Sequence, residues 1–211
     1  SNKNTWEFNW ENGYSGGRRT ATVTKGSEGS GVVGTVLGGT SSAKRLVGRL
    51  TELTFGEGIT EIGDNAFESN TNLDKVSFTD GLKTIGDRAF YGTSITSVDL
   101  PDSVTEVGEY AFSECESLAS LNLSEGLTEI SAHAFDGCTA LTSVDLPDGV
   151  TSIGDYAFQR TRITSIDISN VTSIGEYAFG SCTSLKSIDI PESVTSIGNG
   201  AFRYSGLESV Y

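Results

Sequence analysis

The stretch LTSVDLPDGVTSIGDYAFQRTR, residues 141–162, decides the fold, because its apolar residues have counterparts at the same offsets elsewhere in the chain. The dipeptide Ala-Phe inside it recurs with Phe at positions 67, 90, 112, 135, 158, 179 and 202, at spacings of 21 to 23 residues. A leading pattern L-x-x-L-x-L, with Ile and Val admitted, starts at Leu50, Leu73, Ile95, Leu118, Leu141, Ile163, Leu185 and Leu207. A fixed period of this length marks a tandem array of stacked units. The array holds seven complete units of 21–23 residues and a final strand.

Within a unit, apolar and polar residues alternate around Val144 and Leu146, so Ser143 and Asp145 are expected to face outward from a short strand. After the turn at Pro147-Asp148-Gly149, the positions Val150, Ile153, Ala157 and Phe158 follow helical spacing, and Asp155 is placed to cap a helix of one or two turns. Seven or eight inward residues at about 1.5–3 kcal/mol each do not offset roughly 1.5 kcal/mol of ordering cost per residue over one unit. A unit is therefore stable only when stacked, with its strand in a continuous parallel sheet.

Composition excludes other classes. Among 211 residues, 14 basic against 28 acidic side chains give a formal charge of −14, which argues against a nucleic-acid partner. No apolar run reaches the length of about 18 residues that a membrane helix needs. The charge is uneven: residues 1–49 hold seven bases and three acids, a net +4, and residues 50–211 hold seven and twenty-five, a net −18. There is no Met and no leader-like start, so the chain reads as a trimmed or expressed fragment. Three cysteines without C-x-x-C spacing indicate neither a disulfide framework nor a zinc site.

The unit length and the wording LTSVDLPDGVTSIGDYAF resemble the BspA-like leucine-rich-repeat family of bacterial surface proteins, over residues 50–211. The resemblance implies an α/β solenoid, a curved right-handed superhelix with a parallel sheet on the concave face and short helical turns on the convex face. It also implies secretion or display at the bacterial surface and adhesion to proteins of a host or neighbouring cell. Two departures bear on local loops: Ile168-Ser169-Asn170-Val171 lacks the Pro and one residue, and Ser131-Ala132-His133 stands in place of Gly-Asp-Tyr.

The first 49 residues show no repeat. Alternation at Trp6, Phe8 and Trp10, at Thr20–Lys25, and a β-branched run at Val32–Leu37 predict three short strands between Gly-rich turns. They read as a β-rich cap over the edge of Leu50–Phe55, or alternatively as part of a separate β-sandwich domain. At the other end, Leu207 and Val210 have no following unit, so that edge either self-associates or receives further chain.

The outward strand positions form two columns. The first is Glu52, Lys75, Ser97, Ser120, Ser143, Ser165, Ser187 and Ser209, and the second is Thr54, Ser77, Asp99, Asn122, Asp145, Asp167, Asp189 and Tyr211. At a strand spacing of about 4.8 Å, stacked aspartates repel by roughly 0.9 kcal/mol per contact in water. Serine donors, a raised pKa on the middle Asp, a cation or a basic partner would relieve this. Ser97, Asp99, Ser143, Asp145, Ser165, Asp167, Ser187 and Asp189 are accordingly the candidate partner-binding residues, set against the plainer reading that copied units copy a polar residue. Acidic columns at Glu57, Asp80, Asp102, Glu125, Asp148 and Glu192, and at Asp64, Asp87, Glu109, Asp155 and Glu176, read as turn and capping residues.

Calcium lacks a D-x-D-x-D-G loop, and no metal or other cofactor is expected. Cys115, Cys138 and Cys182 share a column read as buried free thiols, and Tyr110, Tyr156 and Tyr177 share one read as rings over the outer turns. The single histidine, His133, is expected at the surface, far from the strand-face serines, so no catalytic triad assembles and no enzyme is predicted. Gly29-Ser30-Gly31-Val32-Val33-Gly34 matches a dinucleotide fingerprint by accident, since no helix follows it. The expected role is adhesion or protein interaction with a basic protein ligand, host or matrix, at the cell surface. A glycan-binding module and a passive spacer are the alternatives.

Overall fold

The alternation in each unit produces strands of two to four residues, and strands of successive units lie side by side. A computed structural model describes residues 6–11, 20–25, 32–33 and 48–210. At the N-terminal end β1 (Trp6–Glu11) runs antiparallel to β2 (Thr20–Lys25). β2 in turn runs parallel to β4 (Glu52–Phe55), with Ala21 opposite Leu53 and Val23 opposite Phe55. β3 (Val32–Val33) runs parallel to β5 (Glu61–Ile62). β2 and β3 thus supply one strand to each of two ladders, as a repeat unit does, although their sequence does not repeat. Of the expected strand Val32–Leu37, the first two residues form β3 and residues 34–37 lie outside those described.

The first ladder carries the L-x-x-L-x-L segments. After β4 come β6 (Lys75–Ser77), β8 (Ser97–Asp99), β10 (Ser120–Asn122), β14 (Ser187–Ile188) and β16 (Ser209–Val210). Its registers are one to one: Glu52 opposite Lys75, Ser97 opposite Ser120, Asp99 opposite Asn122. Equal positions in successive units therefore become spatial neighbours. The segments around Val144 and Ile166 complete no strand. They are held by the Arg162 N–H donating to Leu141 O at 2.9 Å and the Thr164 N–H to Thr142 O at 3.1 Å.

A second parallel ladder, which sequence reading missed, joins β5 to β7 (Thr84–Ile85) and β9 (Glu106–Val107). It resumes with β11 (Glu129–Ile130), β12 (Ser152–Ile153), β13 (Ser173–Ile174) and β15 (Ser196–Ile197). Ile153, assigned above to a helical face, is a strand residue here.

The expected helical turns are corrected: the described residues contain no helix, and the fold is a parallel-strand β-solenoid of about six turns. The reason is visible in the backbone of residues 154–161. Tyr156 and Arg160 have φ of 59° and 61°, a left-handed conformation four residues apart that no right-handed helix accommodates. The amides alternate instead. Those of Ala157, Gln159 and Thr161 donate three residues back, to Gly154, Tyr156 and Phe158, at 3.1–3.3 Å. Those of Tyr156, Phe158 and Arg160 donate to Glu176, Ala178 and Gly180 of the next unit at 2.7–2.9 Å. Consecutive β-turns so make a third hydrogen-bonded ladder between units, and the backbone groups of the outer turns are satisfied without a helix.

The core lies inside these three ladders. Phe67, Phe90, Phe112, Phe135, Phe158, Phe179 and Phe202 stack in one file, with ring centroids 5.3–5.8 Å apart and planes within 12°. All but Phe202 are buried, as are the leading residues Leu50, Leu73, Ile95, Leu118, Leu141, Ile163 and Leu185. Each ring has a partner on both sides only if the units stack, which is the cooperativity a short unit requires.

Candidate interaction surface

The two outward columns of the first ladder are where the register implies. Ser97, Asp99, Ser143, Asp145, Ser165, Asp167, Ser187 and Asp189 are all exposed, while the intervening Val98, Val144 and Ile188 are buried. Asn122 Nδ2 donates to Asp99 Oδ1 at 3.3 Å, so that pair is linked directly. At the N-terminal end the same face carries the ion pair Lys75–Glu52 at 2.6 Å. The serine columns do not relieve the aspartates: among the described residues no hydrogen bond joins the two. A raised middle carboxyl, another of the alternatives for relief, is not what the strip shows. Asp167 Oδ1 accepts the Ser169 N–H at 2.9 Å, and that backbone bond, helped by Ser169's side chain, holds the Asp167 carboxyl below its usual range. Ser169 belongs to the shortened Ile168–Val171 turn, so the departure from the repeat acts on the strip directly.

The acidic column before Ala-Phe does not cap helices. Asp64 Oδ1 accepts the Asp87 N–H at 2.9 Å, Asp87 Oδ1 the Glu109 N–H at 2.8 Å, and Asp155 Oδ1 the Glu176 N–H at 2.7 Å. Each carboxylate clamps the equivalent residue of the next unit.

The adjoining left-handed column builds a file of rings. Tyr110 stacks on His133 at 4.1 Å, His133 on Tyr156 at 4.5 Å, and Tyr156 on Tyr177 at 5.2 Å, all within 11° of parallel. Arginines close both ends: Arg88 lies 5.5 Å from the Tyr110 ring centroid, and Arg203 lies 6.0 Å from that of Tyr177 and donates to its hydroxyl at 2.8 Å. His133 is half-buried rather than a free surface residue. Its Nδ1 lies 3.2 Å from Oδ2 of the buried Asp136, whose Oδ1 accepts from Nε and Nη2 of Arg160 at 3.0 and 2.9 Å. Arg160 also reaches Glu114, linking three successive units. The shared column of Tyr and His was legible; the stacking and the arginine ends were not.

Cys115, Cys138 and Cys182 are free and buried. Their thiols donate to the carbonyls of Phe90, Phe112 and Phe158 at 3.1–3.2 Å. Burial pushes Cys115 and Cys182 up to about 11 and Cys138 well above its ordinary value. Such thiols are structural, since reactivity needs the thiolate. Among the described residues no three His, Cys, Asp or Glu side chains converge as metal ligands, and no helix is long and apolar enough to cross a membrane.

Geometry of this kind defines a leucine-rich-repeat solenoid with an open polar strand face. The model of the BspA type leucine rich repeat region matches six copies over residues 46–135 and 106–211, and the chain belongs to that family. Among solved structures, the leucine rich repeat protein of T. pallidum is 25% identical, with 93% of this chain and 86% of that one covered and a TM-score of 0.69. The pneumococcal vaccine antigen PcpA shares the fold at 19% identity, covering 99% of this chain and 68% of its own, with a TM-score of 0.60. A leucine rich cell surface protein of Faecalibacterium prausnitzii A2-165 is 33% identical over 74% of this chain, with a TM-score of 0.49. This chain spans 52% of that protein's length. A comparison with curated proteins finds no match.

Proposed function

We propose that the protein is a binding module of bacterial surface type that engages a basic protein ligand through the strip of Ser97, Asp99, Ser143, Asp145, Ser165, Asp167, Ser187 and Asp189. The observation that carries this reading is the exposure of these side chains in equivalent positions of four units, three of them consecutive, on a chain with a formal charge of −14. Repeated carboxylates on one face steer a positively charged partner and speed encounter, and the serines add short hydrogen-bonding groups. Display at the cell surface is the location that membership of the BspA type family supports. Residues 1–49 act as the cap of residues 50–211, shielding the edge of β4 through β2. A scaffold role of this kind needs no catalytic group. A sugar-stacking role finds no open face within the central ring file, because His133 and Tyr156 are each covered by rings on both sides.

The test is binding of a fluorescent Lys/Arg-rich peptide at low and at physiological salt. Changing Asp99, Asp145, Asp167 and Asp189 together to Asn is expected to abolish most of the salt-sensitive binding. Changing Asp80, Asp102, Asp148 and Glu192 to their amides removes the same charge elsewhere and is expected to leave most of it. Equal losses in the two variants would reduce the effect to net charge and refute the strip.

A further inference from the structure

In this repeat a glycine lets each unit seat closely against the one before. A Cβ at Gly154 would lie 2.7 Å from the Ala132 nitrogen, and one at Gly86 2.7 Å from the Asp64 nitrogen. Contacts that short do not occur, so the spacing between units is set by the missing side chain. Seated this way, Gly86, Gly108, Gly154, Gly175 and Gly198 each donate their N–H to the preceding unit, to Ile62, Ile85, Ile130, Ile153 and Ile174, at 2.7–2.8 Å.

The fourth unit has Ser131 in that place, and the second ladder parts there. No bond forms from the Ser131 N–H to Val107 O; the Ser131 hydroxyl donates to that carbonyl at 2.5 Å in its stead. Thr128 N–H makes no bond to Thr105 O, whereas Thr105, Thr151, Thr172 and Thr195 each bond the preceding unit at 2.8–3.0 Å. β9 ends one run of the ladder and β11 begins another, with a shallow cleft of about 240 Å³ between them.

The other two sides of the same seam are closed. Tyr110–His133 is the tightest contact of the ring file, and the amides of Tyr110, Phe112 and Glu114 bond Ala132, Ala134 and Asp136 at 2.7–3.1 Å. Arg160 ties Asp136 to Glu114 across the seam, and β8 and β10 stay paired in the first ladder.

We propose that the seam between the third and fourth units is a hinge built into the solenoid, with its axis along the first ladder and the turn ladder and its opening on the second. Ser131 sets it: its Cβ keeps the second ladder apart, and its hydroxyl bridges to Val107 O where the backbone bond is missing. Bending there changes the angle between the part of the strip bearing Asp99 and the part bearing Asp145, Asp167 and Asp189, so the face adapts to its partner.

The test uses the full chain with spin labels at Lys83→Cys and Thr172→Cys, four ladder steps apart or about 19 Å at 4.8 Å per step. The native thiols are buried and stay unlabelled. Double electron–electron resonance is expected to give a broad distance distribution that Ser131→Gly narrows and shortens. Amide exchange is the second readout: the amides at 128 and 131 are expected to exchange at least about tenfold faster than those at 151 and 154, and Ser131→Gly to slow them to that level. Gly154→Ser is expected to carry fast exchange to 151 and 154. A distribution already narrow, or unchanged in width when Ser131→Gly has slowed the amides, would overturn the hinge. Wild-type amides at 128 and 131 as protected as those at 151 and 154 would overturn the open ladder itself.

Discussion

Phe135 is the perturbation that weighs the stacking of units most heavily. Its ring lies between Phe112 at 5.8 Å and Phe158 at 5.6 Å and is 1% exposed. Phe135→Ala removes the burial of one aromatic ring, leaves a cavity in a closed file, and severs two ring contacts, for a cost of about 3–5 kcal/mol. Phe202 occupies the same column in the last unit, stacks only on Phe179, and is partly exposed. Phe202→Ala should therefore cost about 1–2 kcal/mol, near the lower range for a half-buried side chain. Urea unfolding followed by circular dichroism gives both values, with the midpoint shift read at constant slope. Equal costs for the two variants, or a loss below about 1 kcal/mol for Phe135→Ala, would show that the rings are not one continuous file.

Three further outcomes follow from single contacts. Asn70 Nδ2 is buried without a hydrogen-bond partner in the column where other units place Thr, Cys or Ser, so Asn70→Thr should raise stability by about 1 kcal/mol in the same urea assay. Arg160→Met strands the buried Asp136 carboxylate and should cost about 1–3 kcal/mol, whereas adding Asp136→Leu should recover part of the loss in a double-mutant cycle. The buried thiols titrate higher folded than unfolded, so their contribution is full below the ordinary value of 9.0 and is lost as pH rises through about 11. Stability of the native chain should thus fall over that alkaline window more steeply than that of a variant with Cys115, Cys138 and Cys182 changed to Ala.

How far the sequence carried the fold depends on which ladder is considered. The first ladder was legible because its register follows from identical letters at identical offsets, and an exposed Ser143 or Asp145 beside a buried Val144 is what period-two alternation requires. The second ladder and the turns were not. Val150, Ile153, Ala157 and Phe158 fit helical spacing as well as they fit a two-residue strand followed by β-turns, and periodicity alone does not separate the two. What decides between them is the left-handed backbone at Tyr156 and Arg160, which bonds to the neighbouring unit enforce on residues that do not prefer it. A signal was present: the same two columns carry Asn65, Gly92, Gly137 and Gly200, residue types that accept positive φ. For the candidate site, position and exposure were legible, but the tilt of Asp167 toward Ser169 depends on a turn one residue shorter than its relatives, which no column comparison anticipates.

The in-register stacking of units is tested most directly by nitroxide labels placed at Ser97→Cys and Ser120→Cys, which face each other across β8 and β10. Strands about 4.8 Å apart predict strong dipolar broadening of the continuous-wave spectrum, falling away for Ser97→Cys with Ser165→Cys three steps along, at about 14 Å. Broadening that is absent in the first pair, or no stronger there than in the second, would contradict the account.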